Sequence, residues 1–154
     1  MIEWHQETVS ISRMTDTAKR LAGLLFPGAF IALDGELGAG KTTFTQVVLA
    51  ALGIDRPVKS PTFGLLHSYE GRFAIHHLDL YRLKQEEEVL DLGWDELQSG
   101  EAILLVEWME LFPGLLPEEY LQLRISYGPT GRNYDWAAIG APYEALLKEL
   151  MVCC

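Results

Sequence analysis

The sequence predicts an α/β domain of three layers, with helices flanking a mixed sheet that has a parallel centre and antiparallel hairpins. Three observations carry that prediction. The stretch Phe30 to Gly53, FIALDGELGAGKTTFTQVVLAALG, passes from an apolar run through a glycine-rich turn into a helix. A second apolar run, Ala102 to Val106 (AILLV), reads as a central strand buried on both faces. Two strand pairs, Gly64–Tyr69 with Phe73–Leu80 and Tyr120–Tyr127 with Arg132–Ile139, are joined by turns too short for a crossover helix.

The chain starts with Glu7 to Ser12 (ETVSIS), whose alternation predicts an early edge strand. Thr15 is placed to cap a helix from Asp16 to Phe26, with Ala18, Leu21, Ala22 and Leu25 on one face and Pro27-Gly28 as its stop. After the Phe30–Leu33 strand, Phe44, Val47, Val48 and Ala51 recur at the spacing of one helix face, and Gly53 ends that helix. Ile54 to Ser60 is a connector, and Pro61 turns Lys59 to Phe63 into a loop. Beyond the first hairpin, Lys84 to Leu92 predicts a helix stopped by Gly93, and Trp94 to Gln98 a further helical turn. Met109 to Pro117 carries two prolines and reads as irregular. Leu121, Leu123, Ile125 and Tyr127 share one face of their strand, and Gly128-Pro129-Thr130-Gly131 turns it into its partner. Pro142 at the first helical position opens a last helix, Tyr143 to Met151.

Between strand and helix, Gly35-Glu36-Leu37-Gly38-Ala39-Gly40-Lys41-Thr42 fits G-x-x-x-x-G-K-[ST] at every fixed position, in the strand-to-helix context the motif needs. The glycines let the backbone curl its N–H groups around a phosphate with no Cβ in the way. The helix starting at Lys41 aims its unpaired N–H groups and positive dipole end at the same anion. Lys41 reaches the β- and γ-phosphates and the Thr42 hydroxyl is placed to ligate Mg²⁺. The predicted fold is thus P-loop NTPase-like.

Hydrolysis also needs a held metal and an aimed water. Asp79 ends one apolar strand and Glu107 another, and strand C-terminal ends gather round the ligand crevice of such sheets. Both acids are therefore expected to converge on Mg²⁺, against the plainer reading of solvated strand-end residues. Trp108 reads equally as a half-buried core indole, like Trp4, Trp94 and Trp136, or as a contact near the nucleotide. His76 and His77 are consecutive, face opposite sides of a strand, and read as structural. Glu86-Glu87-Glu88 reads as a solvated helix face.

Composition narrows the function classes. The 154 residues are expected to form one P-loop ATPase domain, 1–154, ending in a flexible tail. Hydrophobic content of 49% and charged content of 22% are ordinary for a folded protein. No apolar run approaches a membrane span, and MIEWHQETVS lacks the pattern of a signal peptide. The adjacent Cys153 and Cys154 offer no disulfide framework or metal-ligand spacing, so a cytoplasmic location is expected. A net charge of −10 argues against tight direct binding of nucleic acid and suits a basic protein partner.

Taken in order, GELGAGKTTF, KSPTF, HLDLYRL and LLVEW resemble the bacterial TsaE (YjeE) family, small P-loop ATPases required for threonylcarbamoylation of adenosine 37 in tRNAs that read ANN codons. The resemblance runs from the helix at Thr15 to Arg132, and HLDLYRL and VEW are more distinctive than the P-loop. It implies that ATP is bound by Gly35, Glu36, Leu37, Gly38, Ala39, Gly40, Lys41, Thr42 and Thr43, and Mg²⁺ by Thr42 and Glu107. It implies that Asp79 is the family's functional aspartate and that Thr62 lies in a switch-like loop near the γ-phosphate. Trp108 is the tryptophan of VEW, Arg132 lies near the nucleotide, and the residues near Ile11 fall where a first strand borders the adenine. The implied partners are TsaB and TsaD, the latter the transferase. ATP binding and hydrolysis would reset their complex, tRNA would be met only through it, and turnover would be slow without it. Two rival readings stand beside this one. A small-molecule kinase would want a cluster of lid arginines, whereas Arg56, Arg72, Arg82, Arg124 and Arg132 are scattered. A non-catalytic ATP-sensing module would not need Asp79 and Glu107.

Overall fold

The protein is described from a computed structural model covering residues 1–54 and 66–152. Its strands are β1 (Ile2–Val9), β2 (Phe30–Gly35), β3 (Leu66–Glu70), β4 (Ala74–Asp79), β5 (Ile103–Glu107), β6 (Tyr120–Tyr127) and β7 (Arg132–Ile139). Its helices are α1 (Ile11–Leu24), α2 (Lys41–Ala51), α3 (Glu86–Leu90), α4 (Trp94–Ser99) and α5 (Ala141–Val152), with 3₁₀ turns at Met109–Leu111 and Pro113–Leu115. The strands form one sheet in the order β1-β7-β6-β2-β5-β4-β3. β6, β2, β5 and β4 run parallel, while β7 with β6, β1 with β7 and β3 with β4 pair antiparallel. The expected mixed sheet, parallel at its centre, is therefore the observed one.

Because β2 and β5 are buried along their whole length, each supplies apolar side chains to both faces. Ile31, Leu33 and Leu105 join a core with residues of α1, α2 and α5. Phe30, Ala32, Leu104 and Val106 join a second core with Val89, Trp94 and Met109. These two cores separate the three layers. α2 buries Lys41, Phe44, Thr45, Val48 and Leu49, leaving the expected Val47 and Ala51 at the border of its stripe. α2 also packs against α1, which widens and turns the buried face.

The N-terminal segment departs from the sequence reading. The edge strand is Ile2–Val9, not Glu7 to Ser12, and pairs with β7 along Ile2 to Gln6. Its inward positions include Gln6, which accepts the Trp136 indole N–H at 2.9 Å, and a polar residue facing inward hides the alternation. Ser10, not Thr15, caps the next helix by accepting from the Arg13 N–H at 3.1 Å. Thr15 lies inside that helix and donates to the Ile11 carbonyl. The last helix starts at Ala141, so Pro142 is its second residue, still within the first turn where a missing N–H costs nothing. The Lys59–Phe63 loop and the cysteine tail lie outside the described residues.

Candidate nucleotide and metal site

β2 delivers the chain to the P-loop at Gly35, and α2 leaves it at Lys41. Gly35, Gly38 and Gly40 all have positive φ, at 137°, 78° and 114°. At Gly35 the requirement is doubled, because a Cβ would stand 2.2 Å from the Ile125 carbonyl oxygen of β6. A Cβ on Gly40 would project into open space in front of the α2 N-terminus. The loop is pinned from outside. Tyr127 Oη donates to the Leu37 carbonyl at 3.1 Å, and Arg132 Nε donates to the Ala39 carbonyl at 3.1 Å. The Arg132 guanidinium also stacks on the Tyr127 ring, 4.4 Å from its centroid.

Lys41 folds back over the loop. Its Nζ donates to the Gly35 carbonyl at 2.5 Å and the Glu36 carbonyl at 2.9 Å. It also lies 4.2 Å from the centroid of the Trp108 ring. Burial pushes the ammonium below the usual lysine range, opposed by Glu107, Glu110, Asp79 and Asp34 nearby. Trp108 takes a positive φ of 63°, rare for a bulky residue, and rests against Tyr81 with ring centroids 4.9 Å apart.

The two acids meet as the strand ends suggested. β4 and β5 are in parallel register with Asp79 opposite Glu107, and β2 runs on the other side with Leu33 opposite Glu107. Thr42 Oγ1 donates to Glu107 Oε1 at 3.4 Å, while Glu107 Oε2 is 2.6 Å from His77 Nε2. Asp79 Oδ1 accepts the Tyr81 N–H at 3.0 Å, a local turn that fixes the strand end. Lys41, Thr42, Asp79, Glu107 and Trp108 line one cleft of about 200 Å³ with Leu37, Gly38, Gly40 and Thr43. On the other side of the loop, a cavity of about 470 Å³ is lined by Val9, Ser10, Ile11, Met14, Gly38, Ala39, Gly40, Thr43, Thr130, Gly131, Arg132 and Tyr134. Thr42, Asp79 and Glu107 offer the hard oxygen donors that suit Mg²⁺, which completes its shell with phosphate and water.

Most of the expected site residues thus surround the P-loop, with two qualifications. Ile11 does line the larger cavity, but as the first residue of α1 rather than on a strand, because β1 ends at Val9. Thr62 lies outside the described residues.

Other contacts escaped the sequence reading. His77, read as structural, is bonded to Glu107. Its signal was available: His77 and Asp79 stand two apart on one strand and share a face. The Glu110 side chain accepts the Gly35 N–H at 3.2 Å and pairs with Arg124 at 3.0 Å. Asp34 accepts from the Glu110 N–H at 3.1 Å and from Gln122 Nε2 at 2.6 Å. Burial raises the Asp34 carboxyl above its ordinary value, with the Gln122 hydrogen bond opposing. Gln122 and Arg124 share a face of β6, but no sequence spacing links them to Asp34 or Glu110; the sheet brings them together at the root of the loop.

Known proteins resemble this chain in sequence and in fold. The family model described as threonylcarbamoyl adenosine biosynthesis protein TsaE matches residues 2–134. The tRNA threonylcarbamoyladenosine biosynthesis protein TsaE of Bacillus subtilis (strain 168) is 41% identical over 151 residues, 97% of this chain and 93% of that protein. The protein of the same description from Nostoc sp. is 40% identical over 135 residues, 85% of this chain and 81% of that one. The crystal structure of Bacillus subtilis YdiB superposes with a TM-score of 0.81 at 36% identity, covering 97% of this chain and 93% of that one.

Proposed function

Since the chain belongs to the TsaE family, we propose that it binds and hydrolyses ATP with Mg²⁺ in support of tRNA threonylcarbamoyladenosine biosynthesis. One observation carries the reading: Lys41, Thr42, Asp79 and Glu107 line a single cleft at the mouth of the P-loop. The triphosphate lies along the loop, where the backbone N–H groups at the α2 N-terminus and the Lys41 ammonium neutralise it. Lys41 exchanges the carbonyls of Gly35 and Glu36 for phosphate oxygens as the nucleotide enters. Thr42 and Glu107 would hold Mg²⁺, joined by Asp79, which would also aim the water. Held there, the cation would supply neutralisation of phosphate charge. The nucleoside occupies the larger cavity, where Val9, Ile11, Met14 and Tyr134 supply apolar surface and Arg132 a cation.

The product of that turnover is a conformational reset of the TsaB–TsaD pair, not a covalent contribution to the transfer onto adenosine 37. With a net charge of −10, the chain meets tRNA through those partners. Residues 1–154 act as one domain in this scheme. A phosphate-release assay, run on the purified chain with and without TsaB and TsaD, tests it. Mg²⁺-dependent release that rises when the pair is added is the expected result. Nucleotide binding with no release in either condition would leave a non-catalytic sensor and overturn the hydrolytic half of the proposal.

A further inference from the structure

We propose that His77 is a positioning residue for Glu107, holding one carboxylate oxygen so that the other stays turned toward Thr42 and the cation. The inference rests on the metal-binding reading of Glu107 given above. His77 sits on the β4 face that looks toward α2, where its neighbours in register and along the strand, Leu105 and Ile75, are apolar core residues. Its side chain is wholly buried, and that of Glu107 is 3% exposed. A residue needed only to fill space there would be apolar too, since burying an imidazole is unfavourable unless its polar atoms are satisfied.

Among the described residues, the hydrogen bond that secures the ring is to Glu107, at 2.6 Å from Nε2 to Oε2. Nδ1 is buried with no hydrogen-bond partner among the described residues. A carboxylate oxygen can only accept, so Nε2 carries the proton in this contact and donates it to Glu107. The two carboxylate oxygens then have separate tasks. Oε2 is engaged by His77, and Oε1 remains at 3.4 Å from the Thr42 hydroxyl, facing the cleft. A carboxylate held by a single β-strand side chain would otherwise swing about its terminal torsion, which is broad. Ligating carboxylates are commonly oriented in this way by a hydrogen bond behind them.

The test compares His77→Gln, His77→Asn and His77→Leu with Glu107→Ala. Gln and Asn both carry an amide, but only the Gln nitrogen reaches the position of Nε2; the Asn nitrogen reaches that of Nδ1. Binding of a non-hydrolysable ATP analogue is followed by calorimetry across a Mg²⁺ titration, after circular dichroism has confirmed the fold. The Mg²⁺ concentration for half-maximal enhancement is expected to rise about tenfold or more in His77→Leu and His77→Asn, and to stay within about threefold of the parent in His77→Gln. Affinity without Mg²⁺ should be the same in all three. If Glu107→Ala loses the Mg²⁺ enhancement while His77→Leu and His77→Asn keep the parent response, the positioning role is wrong and the metal reading stands. Equal loss in the Gln and Asn variants would also overturn it, because the ring's shape would then be what matters. Should Glu107→Ala retain the full enhancement, the metal reading itself falls and takes the inference with it. Where His77→Leu proves too unstable to measure, the Gln and Asn pair, matched in polarity, makes the same decision.

Discussion

The ammonium of Lys41 lies over the indole of Trp108, 4.2 Å from the ring centroid. On the proposed mode of binding, Trp108 is part of the wall that the lysine would leave on turning to a phosphate. Trp4 and Trp136 stack on each other in one core and Trp94 packs in the other, away from the cleft. Adding ATP should change the tryptophan fluorescence of the parent, and Trp108→Phe should abolish that change while Trp94→Phe keeps it. An undiminished signal in Trp108→Phe would place the nucleotide elsewhere.

The P-loop and the acids should separate binding from turnover. Lys41→Ala removes the one side-chain cation that the described residues supply to the cleft lining and should weaken ATP binding at least tenfold, about 1.4 kcal/mol. Glu107→Ala and Asp79→Ala remove contacts that matter most as charge redistributes, so turnover with the partners present should fall by about 10²-fold or more. Their ATP affinity in the absence of Mg²⁺ should stay nearer the parent than that of Lys41→Ala. Folded acid variants that hydrolyse ATP at the parent rate would show that other residues hold the metal and water.

Gly35→Ala should damage the fold as well as the site. The residue has φ of 137°, and its Cβ would meet the Ile125 carbonyl at 2.2 Å in the adjacent central strand. The backbone conformation alone costs on the order of 1–3 kcal/mol for a residue with a side chain, and relieving the overlap adds to it. Gly40→Ala, whose Cβ meets nothing within 4 Å, should melt closer to the parent yet lose nucleotide affinity. Equal melting temperatures for Gly35→Ala and the parent would contradict the packing described.

Asp34 predicts a pH dependence with a definite sign. Its carboxyl is raised in the fold, so the folded chain holds that proton more tightly than the unfolded chain does. Protonation then favours folding. The contribution is complete below the ordinary value of 3.8 and is lost as pH rises through the raised folded value. Asp34→Asn cannot titrate, so the parent should gain melting temperature relative to it as pH falls from neutral toward the ordinary value of 3.8. A constant difference across that range would mean that the carboxyl is not raised.

The P-loop was legible because its signal is local. Glycines, a lysine and a threonine at fixed spacing between a strand and a helix already specify an anion cradle, whatever surrounds it. The parallel centre was legible for a similar reason, since strands such as Ile103–Glu107 that are buried on both faces are continuous apolar runs. Asp79 and Glu107 could be suspected from their place at strand ends, but their convergence is a matter of register, which set them opposite each other. The first strand was misplaced because Gln6 faces inward to serve the indole of Trp136, a partner 130 residues away.

What only the tertiary structure decided is which polar residues face one another across strands. His77 looked like filler until β5 brought Glu107 to its ring, and Asp34, Glu110 and the Gln122–Arg124 pair of β6 had no shared spacing until three chain segments met below the P-loop. Local sequence determines the conformation that a short stretch can adopt, through sterics and hydrogen bonds within a few residues. A hydrogen bond between distant segments depends instead on strand order and register, which the whole core settles together.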